Sequence, residues 1–361
     1  MRERLKRLYE EHEPACTAGL FVAGFLFDTL AVGRIDAVHN ILHQALYLFL
    51  CAWFIGLELC EVYGAFVPPE RLRPAWRYQA GATHFMLGTL LNIYTLFYFK
   101  SASLSVSFLF MCALASLLAV NELRPFERSG TTMRMVLFSL CLVSYFGYLV
   151  PVLVGSIGPL VFLGSLAAAG ASTALLAWWL MRRLPQRRDA VWGRVVIPFS
   201  ATAAAFLALY LVKLVPPVPL SLREIGVYHG VLRRGDEFLL TETRPRWRFW
   251  ERGDQTFLAR PGDRVACFVS VFSPTRFAER LSVRWAYDDP KEGWKESDAI
   301  GLAVTGGRDK GWRGATEKAR WKPGRWRVRV VTSDGRELGR ISLRVEPDPS
   351  TGARTSRLLI R

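Results

Sequence analysis

From Thr17 to Val215 the chain consists of long apolar runs separated by short charged connections; beyond Glu224, apolar residues recur at every second position. The first pattern predicts membrane-spanning helices and the second predicts β-strands. Seven runs are long enough to cross a bilayer: Thr17–Gly33, Asn40–Tyr63, Tyr78–Phe99, Ala102–Asn121, Met135–Val154, Ile157–Met181 and Val195–Val215. The last stops at Pro216-Pro217-Val218-Pro219, a composition that favours an extended, semi-rigid joint. After it, Val265–Phe272, Leu281–Tyr287 and Ala299–Thr305 read as strands, and Trp326–Val345 as a hairpin turning tightly at Asp334-Gly335. Turn signals at Pro261-Gly262, Asp288-Asp289-Pro290, Gly306-Gly307 and Pro323-Gly324 bring the total to six to eight short strands, the pattern of an Ig-like β-sandwich. The expected fold class is therefore an α-helical transmembrane bundle followed by an all-β domain. The expected parts are a charged arm over 1–15, a seven-span domain over 16–215, a proline-rich linker over 216–226, a β-sandwich over 227–346 and a flexible tail over 347–361.

Charge distribution adds an orientation. The formal net charge is +16, from 47 Lys and Arg against 31 Asp and Glu. The N-terminal arm and the second, fourth and sixth connections carry Arg2, Arg4, Lys6 and Arg7, then Arg71, Arg73 and Arg77, then Arg124, Arg128 and Arg134, then Arg182, Arg183, Arg187, Arg188 and Arg194. The first and third connections offer only Arg34 and Lys100, and the fifth none. Positive charge alternating with span number predicts a cytoplasmic N-terminus and an extracytoplasmic β domain in a cytoplasmic membrane. Because this accounts for the basic excess, nucleic acid is not an expected partner; membrane lipids, and an envelope protein or glycan, are. Of the six cysteines only Cys267 lies in the β half, so that domain has no internal disulfide.

Candidate chemistry is sparse. Polar residues in or beside spans are functional candidates by default. The expected outer ends of the first two spans bring Asp28, Arg34, Asp36, His39, Asn40, His43 and Gln44 together, with Asp36, His39 and His43 on one helix face. These residues read first as structure, with Asp36 capping the second helix, Asp28 pairing with Arg34, and interfacial histidines, next as a small-molecule or lipid site, and last as a metal site. His84 is too far in depth to complete a metal site and is expected near Glu58 or Glu61 at the inner end. In the β half, Trp285 and Trp326 fall on core-facing strand positions. Trp294, Trp312 and Trp321 fall in loop-like basic stretches, where indoles either stack on sugars, rest on lipid headgroups or cover the sandwich ends. There is no G-x-S-x-G, P-loop or dinucleotide fingerprint, and His229 is that half's only histidine, so no cofactor and no nucleophilic catalysis are expected.

The stretches FDTLAVGRID (Phe27 to Asp36), FKSASLS (Phe99 to Ser105), PPVPLSLREIGVYHGV (Pro216 to Val231) and GGRDKGWRG…PGRWRVRVVTSDGRELGRISLRV (Gly306 to Val345) resemble a family of uncharacterised bacterial polytopic membrane proteins. Their C-terminal extracytoplasmic β domain is of unknown function. The resemblance implies an architecture and an envelope setting, marks Asp28, Arg34 and Asp36 for testing, and makes the proline joint a defined coupling element. Two functional readings follow. In one, a non-enzymatic scaffold or sensor presents the Trp/Arg-rich sandwich as a binding module. In the other, the bundle is a transporter or lipid-modifying enzyme with its site at Asp28, Arg34, Asp36, His39 and His43. The small residues of Leu166–Ala177 also permit a subunit of a larger complex.

Overall fold

The computed structural model describes residues 36–121, 130–275, 277–307 and 311–361. Six of its helices build a bundle: α1 Val38–Val62, α2 Gln79–Ser101, α3 Leu104–Asn121, α4 Thr131–Val154, α5 Pro159–Arg183 and α6 Arg188–Leu211. A single helical turn, Arg73–Trp76, precedes α2, and a π-helical segment over Trp192–Val196 lies within α6. The central helix is α4, which packs on α1, α2, α5 and α6 and buries Leu137, Phe138, Cys141, Leu142, Tyr145 and Tyr148. Glycine at its end takes a left-handed conformation (Gly155, φ 77°), which a side chain would resist.

Among the described residues four helices, α1, α4, α5 and α6, are long and apolar enough to cross a membrane by length and composition. This corrects the expectation of seven spans. The first expected span, the arm, Asp28, Arg34, Arg124 and Arg128 lie outside the described residues. The third run does fold as α2, but Gln79, Thr83, His84, Asn92 and Lys100 dilute its hydropathy. That helix is buried along much of its length, and Thr83 and Thr95 satisfy their hydroxyls on carbonyls one turn back, 2.9 and 2.7 Å away. In α3 the apolar helix among the described residues is Ser105–Leu114.

Eleven strands form the C-terminal domain: β1 Ser221–Tyr228, β2 Gly230–Arg234, β3 Glu237–Glu242, β4 Thr256–Ala259, β5 Val265–Phe272, β6 Ala278–Asp289, β7 Gly293–Thr305, β8 Trp312–Lys318, β9 Gly324–Val331, β10 Glu337–Pro347 and β11 Arg357–Ile360. A three-stranded sheet (β1-β5-β8) faces a five-stranded one (β4-β10-β9-β6-β7), and β11-β3-β2 forms a third. Between the first two lies one apolar core containing Val269, Val271, Trp285, Trp326, Val328 and Val330. Each such side chain removed from water contributes about 1.5–3 kcal/mol. The reverse face of β5 is also covered, Phe268 meeting Tyr228, Phe238 and Leu240 beside the third sheet. Burial on both faces explains why VACFVSVF is nearly all apolar instead of alternating.

Three boundaries differ from expectation. The linker is shorter, because β1 begins at Ser221 and pairs with β5, while Val218 joins the bundle core and Leu220 the sandwich core. The expected loose tail instead supplies β11, antiparallel to β3. The expected two-residue turn at Asp334-Gly335 is wider: Thr332 N–H donates to Arg336 C=O at 2.9 Å, with a bulge after Glu337.

Candidate functional site

The β domain rests on one end of the bundle, and among the described residues the hydrogen bonds between them fall at helix ends and connections. Asp36, before α1, accepts from Thr275 N–H and hydroxyl at 3.2 and 3.1 Å. Between α2 and α3, Ser103 donates to Glu337 Oε1 at 2.6 Å. After α4, Gly155 C=O accepts from Ala278 N–H at 3.0 Å, and Ile157 N–H donates to Glu279 at 3.4 Å. At the end of α6, Tyr210 donates to Asp334 Oδ2 at 3.0 Å.

The β9–β10 turn drives deepest into this junction. Arg336 is 6% exposed, donates from Nε to Asp334 at 2.8 Å and from a terminal nitrogen to Pro216 C=O at 3.4 Å, and lies 5.0 Å over the Tyr210 ring. Gly335 sits against Lys213 with φ 83°, so a Cβ there would be strained and would strike the Lys213 ammonium. Burial alone would raise the Asp334 carboxyl, but the Arg336 charge and the Thr332 and Tyr210 hydroxyls hold it below the usual carboxylate range. These residues make a satisfied buried ion pair, and a void of about 20 Å³ under Arg336 leaves room for a single water. The junction is a latch between the two domains.

Of the expected outer cluster, Asp28 and Arg34 lie outside the described residues, and the others meet different neighbours. Asp36 does not cap α1, whose N-cap is Ala37 without a side-chain cap; it reaches the β domain instead. His39 and His43 are exposed on the helix surface, the His43 ring tilted against Tyr47 at 4.2 Å. Only Gln44 turns inward, accepting from Tyr148 at 2.8 Å. Among the described residues no group of three His, Cys, Asp or Glu side chains is placed to hold a metal. At the opposite end, His84 does not form the expected contact: Glu58 is taken by Arg134 at 2.8 Å and Thr131 at 2.9 Å, and Glu61 by the Trp76 indole at 2.6 Å. His229 is clasped, Nδ1 lying 2.7 Å from Asp254 and Nε2 3.1 Å from Leu258 C=O, with its ring stacked on Phe257.

The three candidate tryptophans separate. Trp312 lies in β8, not in a loop, and packs against the sandwich core. Trp321 packs on the same core and donates to Asp263 C=O at 2.9 Å. Trp294, in β7, is the exposed one, with the Arg327 guanidinium 4.0 Å over its ring. An apolar groove of about 520 Å³ also opens between α1, α4 and α5, walled by Phe49, Trp53, Phe146, Leu175, Trp178 and Trp179. Sequence reasoning passed over Ser103, Tyr210, Asp334, Arg336 and Glu337 because a charged SDGRE turn between two apolar strands reads as solvated.

Residues 278–345 match the model of a family described as Protein of unknown function (DUF2914). No curated protein is similar to the chain at a significant level. Among solved structures, a β-glucosidase from Listeria innocua is 14% identical over 31% of this chain and 16% of that chain, with TM-score 0.21. An immunoglobulin-like protein from Pseudomonas aeruginosa is 13% identical over 36% of this chain and 98% of its own, with TM-score 0.22. The alkylpurine DNA glycosylase AlkC from Pseudomonas fluorescens is 13% identical over 87% and 100%, with TM-score 0.21. The chain thus spans 16% of the length of the β-glucosidase it resembles. At these TM-scores the likenesses carry nothing about activity, and the sandwich assignment rests on the facing sheets and their common core.

Proposed function

We propose that this chain is a multi-pass protein of the bacterial cytoplasmic membrane that presents its β-sandwich on the extracytoplasmic side as a non-enzymatic binding or interaction module, latched to the bundle as a scaffold or sensor. One observation carries the reading. The connections that touch the β domain are those poor in Lys and Arg (Asp36, Ser103, Gly155 and Ile157), whereas Arg71, Arg73, Arg77, Arg134, Arg182, Arg183, Arg187 and Arg194 belong to the connections at the other end. Charge asymmetry of this kind supports a cytoplasmic basic end. The alternative of an intramembrane enzyme or transporter at the outer ends of the first two spans loses support, because His39 and His43 face outward.

Cysteine labelling tests the sidedness. Thr351→Cys and Arg187→Cys both replace exposed residues. In intact spheroplasts a membrane-impermeant maleimide is expected to label Thr351→Cys, and to label Arg187→Cys only after lysis. The reverse pattern overturns the reading.

A further inference from the structure

The solvent face of the five-stranded sheet is a ladder of arginines. Strand β9 alternates Arg325, Arg327 and Arg329 outward with Trp326, Val328 and Val330 inward. Register sets Arg325 opposite Arg344 of β10, and Arg329 between Arg340 of β10 and Arg284 of β6. Like charges directly opposed across strands are destabilising, so this face is costly wherever neither its own carboxylates nor a bound anion offset them.

Its own carboxylates serve the two ends unequally. Near the bundle, Glu337 grips Arg340 in two bonds of 2.7 and 2.8 Å, and Glu296 lies 3.4 and 3.6 Å from Arg284 and Arg329. At the far end, about 13 Å along the strand from Arg340, Arg344 and Arg325 reach Glu346 and Asp288 only at 3.7 and 3.6 Å. Between them Arg327 has no carboxylate within 4.0 Å among the described residues, and its Nε is buried without a hydrogen-bond partner. Burial, and then the charges of Arg340 and Arg329, hold the Arg327 guanidinium below its ordinary range.

At this underserved end a cavity of about 180 Å³ is walled by Gln255, Trp294, Arg325, Ser342 and Arg344. A second, independent feature adjoins it. Trp247, Phe249 and Trp250 are 61%, 82% and 60% exposed, and their loop is tied to the cavity wall by Arg252 N–H on Gln255 Oε1 at 3.0 Å. Arg248 reaches Thr256 at 3.3 Å, and Thr256 is the register partner of Arg344. Clustered exposed aromatics mark interaction surfaces.

We propose that this cavity binds a carboxylated sugar unit of an anionic polysaccharide, with the aromatic loop and the remaining arginines following the polymer. An indole packs on the apolar face of a sugar ring, paired guanidiniums take its carboxylate, and the amide and hydroxyl take its hydroxyl groups. A flat lipid surface is the poorer fit, since the strands carry Arg325 and Arg344 away from the bundle end where Glu337 meets Ser103. The inference rests on the binding-module reading and specifies its ligand class.

The full chain in nanodiscs of zwitterionic phospholipid is titrated with polygalacturonate, neutral dextran, polyglutamate and anionic phospholipid vesicles. Polygalacturonate is expected to bind, dextran not, and polyglutamate and vesicles at least about tenfold more weakly. Trp294→Ala and Arg344→Gln each weaken binding about tenfold. Arg344→Gln does so without lowering the melting temperature, because it relieves an opposed pair of like charges; it decides the matter if Trp294→Ala fails to fold. No binding of polygalacturonate, equal binding of polyglutamate, preference for vesicles, or unchanged binding by Arg344→Gln overturns the assignment. The Thr351→Cys label separates the two failures. An extracytoplasmic label with no polymer bound removes only the ligand class, whereas a cytoplasmic label removes the proposed function itself.

Discussion

The two ends of the helical bundle use arginine in opposite ways. At the end away from the β domain, arginines lie at or near the surface on aromatic rings: Arg182 over Trp178 at 4.0 Å, Arg183 over Trp179 at 5.5 Å, and Arg187 and Arg194 over Tyr63 at 5.5 and 5.4 Å. At the β-domain end a single arginine, Arg336, is buried and bound to Asp334 and Pro216. Under the proposed orientation, many exposed charges, each weakly held, bias which side faces which, whereas one buried charge, fully partnered, joins the two domains. The largest effect is therefore expected from Arg336→Ala. It strands the buried Asp334 carboxylate and is expected to cost about 3–5 kcal/mol, read as a lower thermal midpoint and as faster proteolysis at Val212–Leu220. The double variant Arg336→Met with Asp334→Asn, which removes both charges, is expected to lose much less.

Protonation tests the same latch without mutation. Because the folded-state carboxyl of Asp334 is lowered, its contribution is complete above the unfolded value of about 3.9 and is lost as pH falls through the lower folded value. Protection of the junction in hydrogen exchange is expected to hold at neutral pH and to collapse below about pH 4. Asp334→Asn should remove that step from the pH profile while leaving other acid transitions in place. A junction equally protected in the wild type at low pH would show that the ion pair is not what holds it.

Glu58→Ala makes the matched break at the basic end. Glu58 pairs with Arg134 where both side chains are partly exposed, 13% and 12%, so solvent screens the loss and about 1–2 kcal/mol is expected. A loss as large as that of Arg336→Ala would erase the contrast between the ends. Smaller again is Ser103→Ala. It removes one hydroxyl from Glu337, which keeps both bonds from Arg340, and should cost about 1 kcal/mol in the same melt.

The contrast also shows what the sequence could carry. Strand β5 was legible residue for residue, because two-sided burial leaves an unbroken apolar run bounded by turn residues. The β9–β10 hairpin was legible because its inward Trp326, Val328 and Val330 alternate with arginines. Strand β11 was hidden: RLLI is four residues at a sheet edge, too short for a period to register. Strand β1 was obscured by the prolines before it, since Leu220 and Val218 anchor in two different cores that local composition does not reveal. The site candidates were legible only as a spacing. Helical spacing put Asp36, His39 and His43 on one face, but spacing does not say what a face meets: Asp36 reaches the β domain, and His39 and His43 are exposed. Arg336 and Glu337 read as solvated turn charges because their partners, Tyr210 and Ser103, are 126 and 234 positions away by subtraction of their residue numbers.

The smallest expected change in stability comes from Arg182→Ala with Arg183→Ala. Each exposed guanidinium over an indole is worth roughly 0.5–1 kcal/mol, and neither residue has a carboxylate partner within 4.0 Å among the described residues. The melt should shift little. If the proposed orientation holds, it should shift more, because the charge difference across α5 and α6 would bias the β domain outward, and Arg187, Arg188 and Arg194 remain to hold most of it. Extending the substitution to all five is therefore the sharper form: labelling of Thr351→Cys in intact spheroplasts should fall while the surviving correctly oriented protein melts nearly as before. Loss of folding in step with loss of labelling would mean that these arginines hold the bundle together through Trp178, Trp179 and Tyr63, and that the basic end, like the latched end, is structural first.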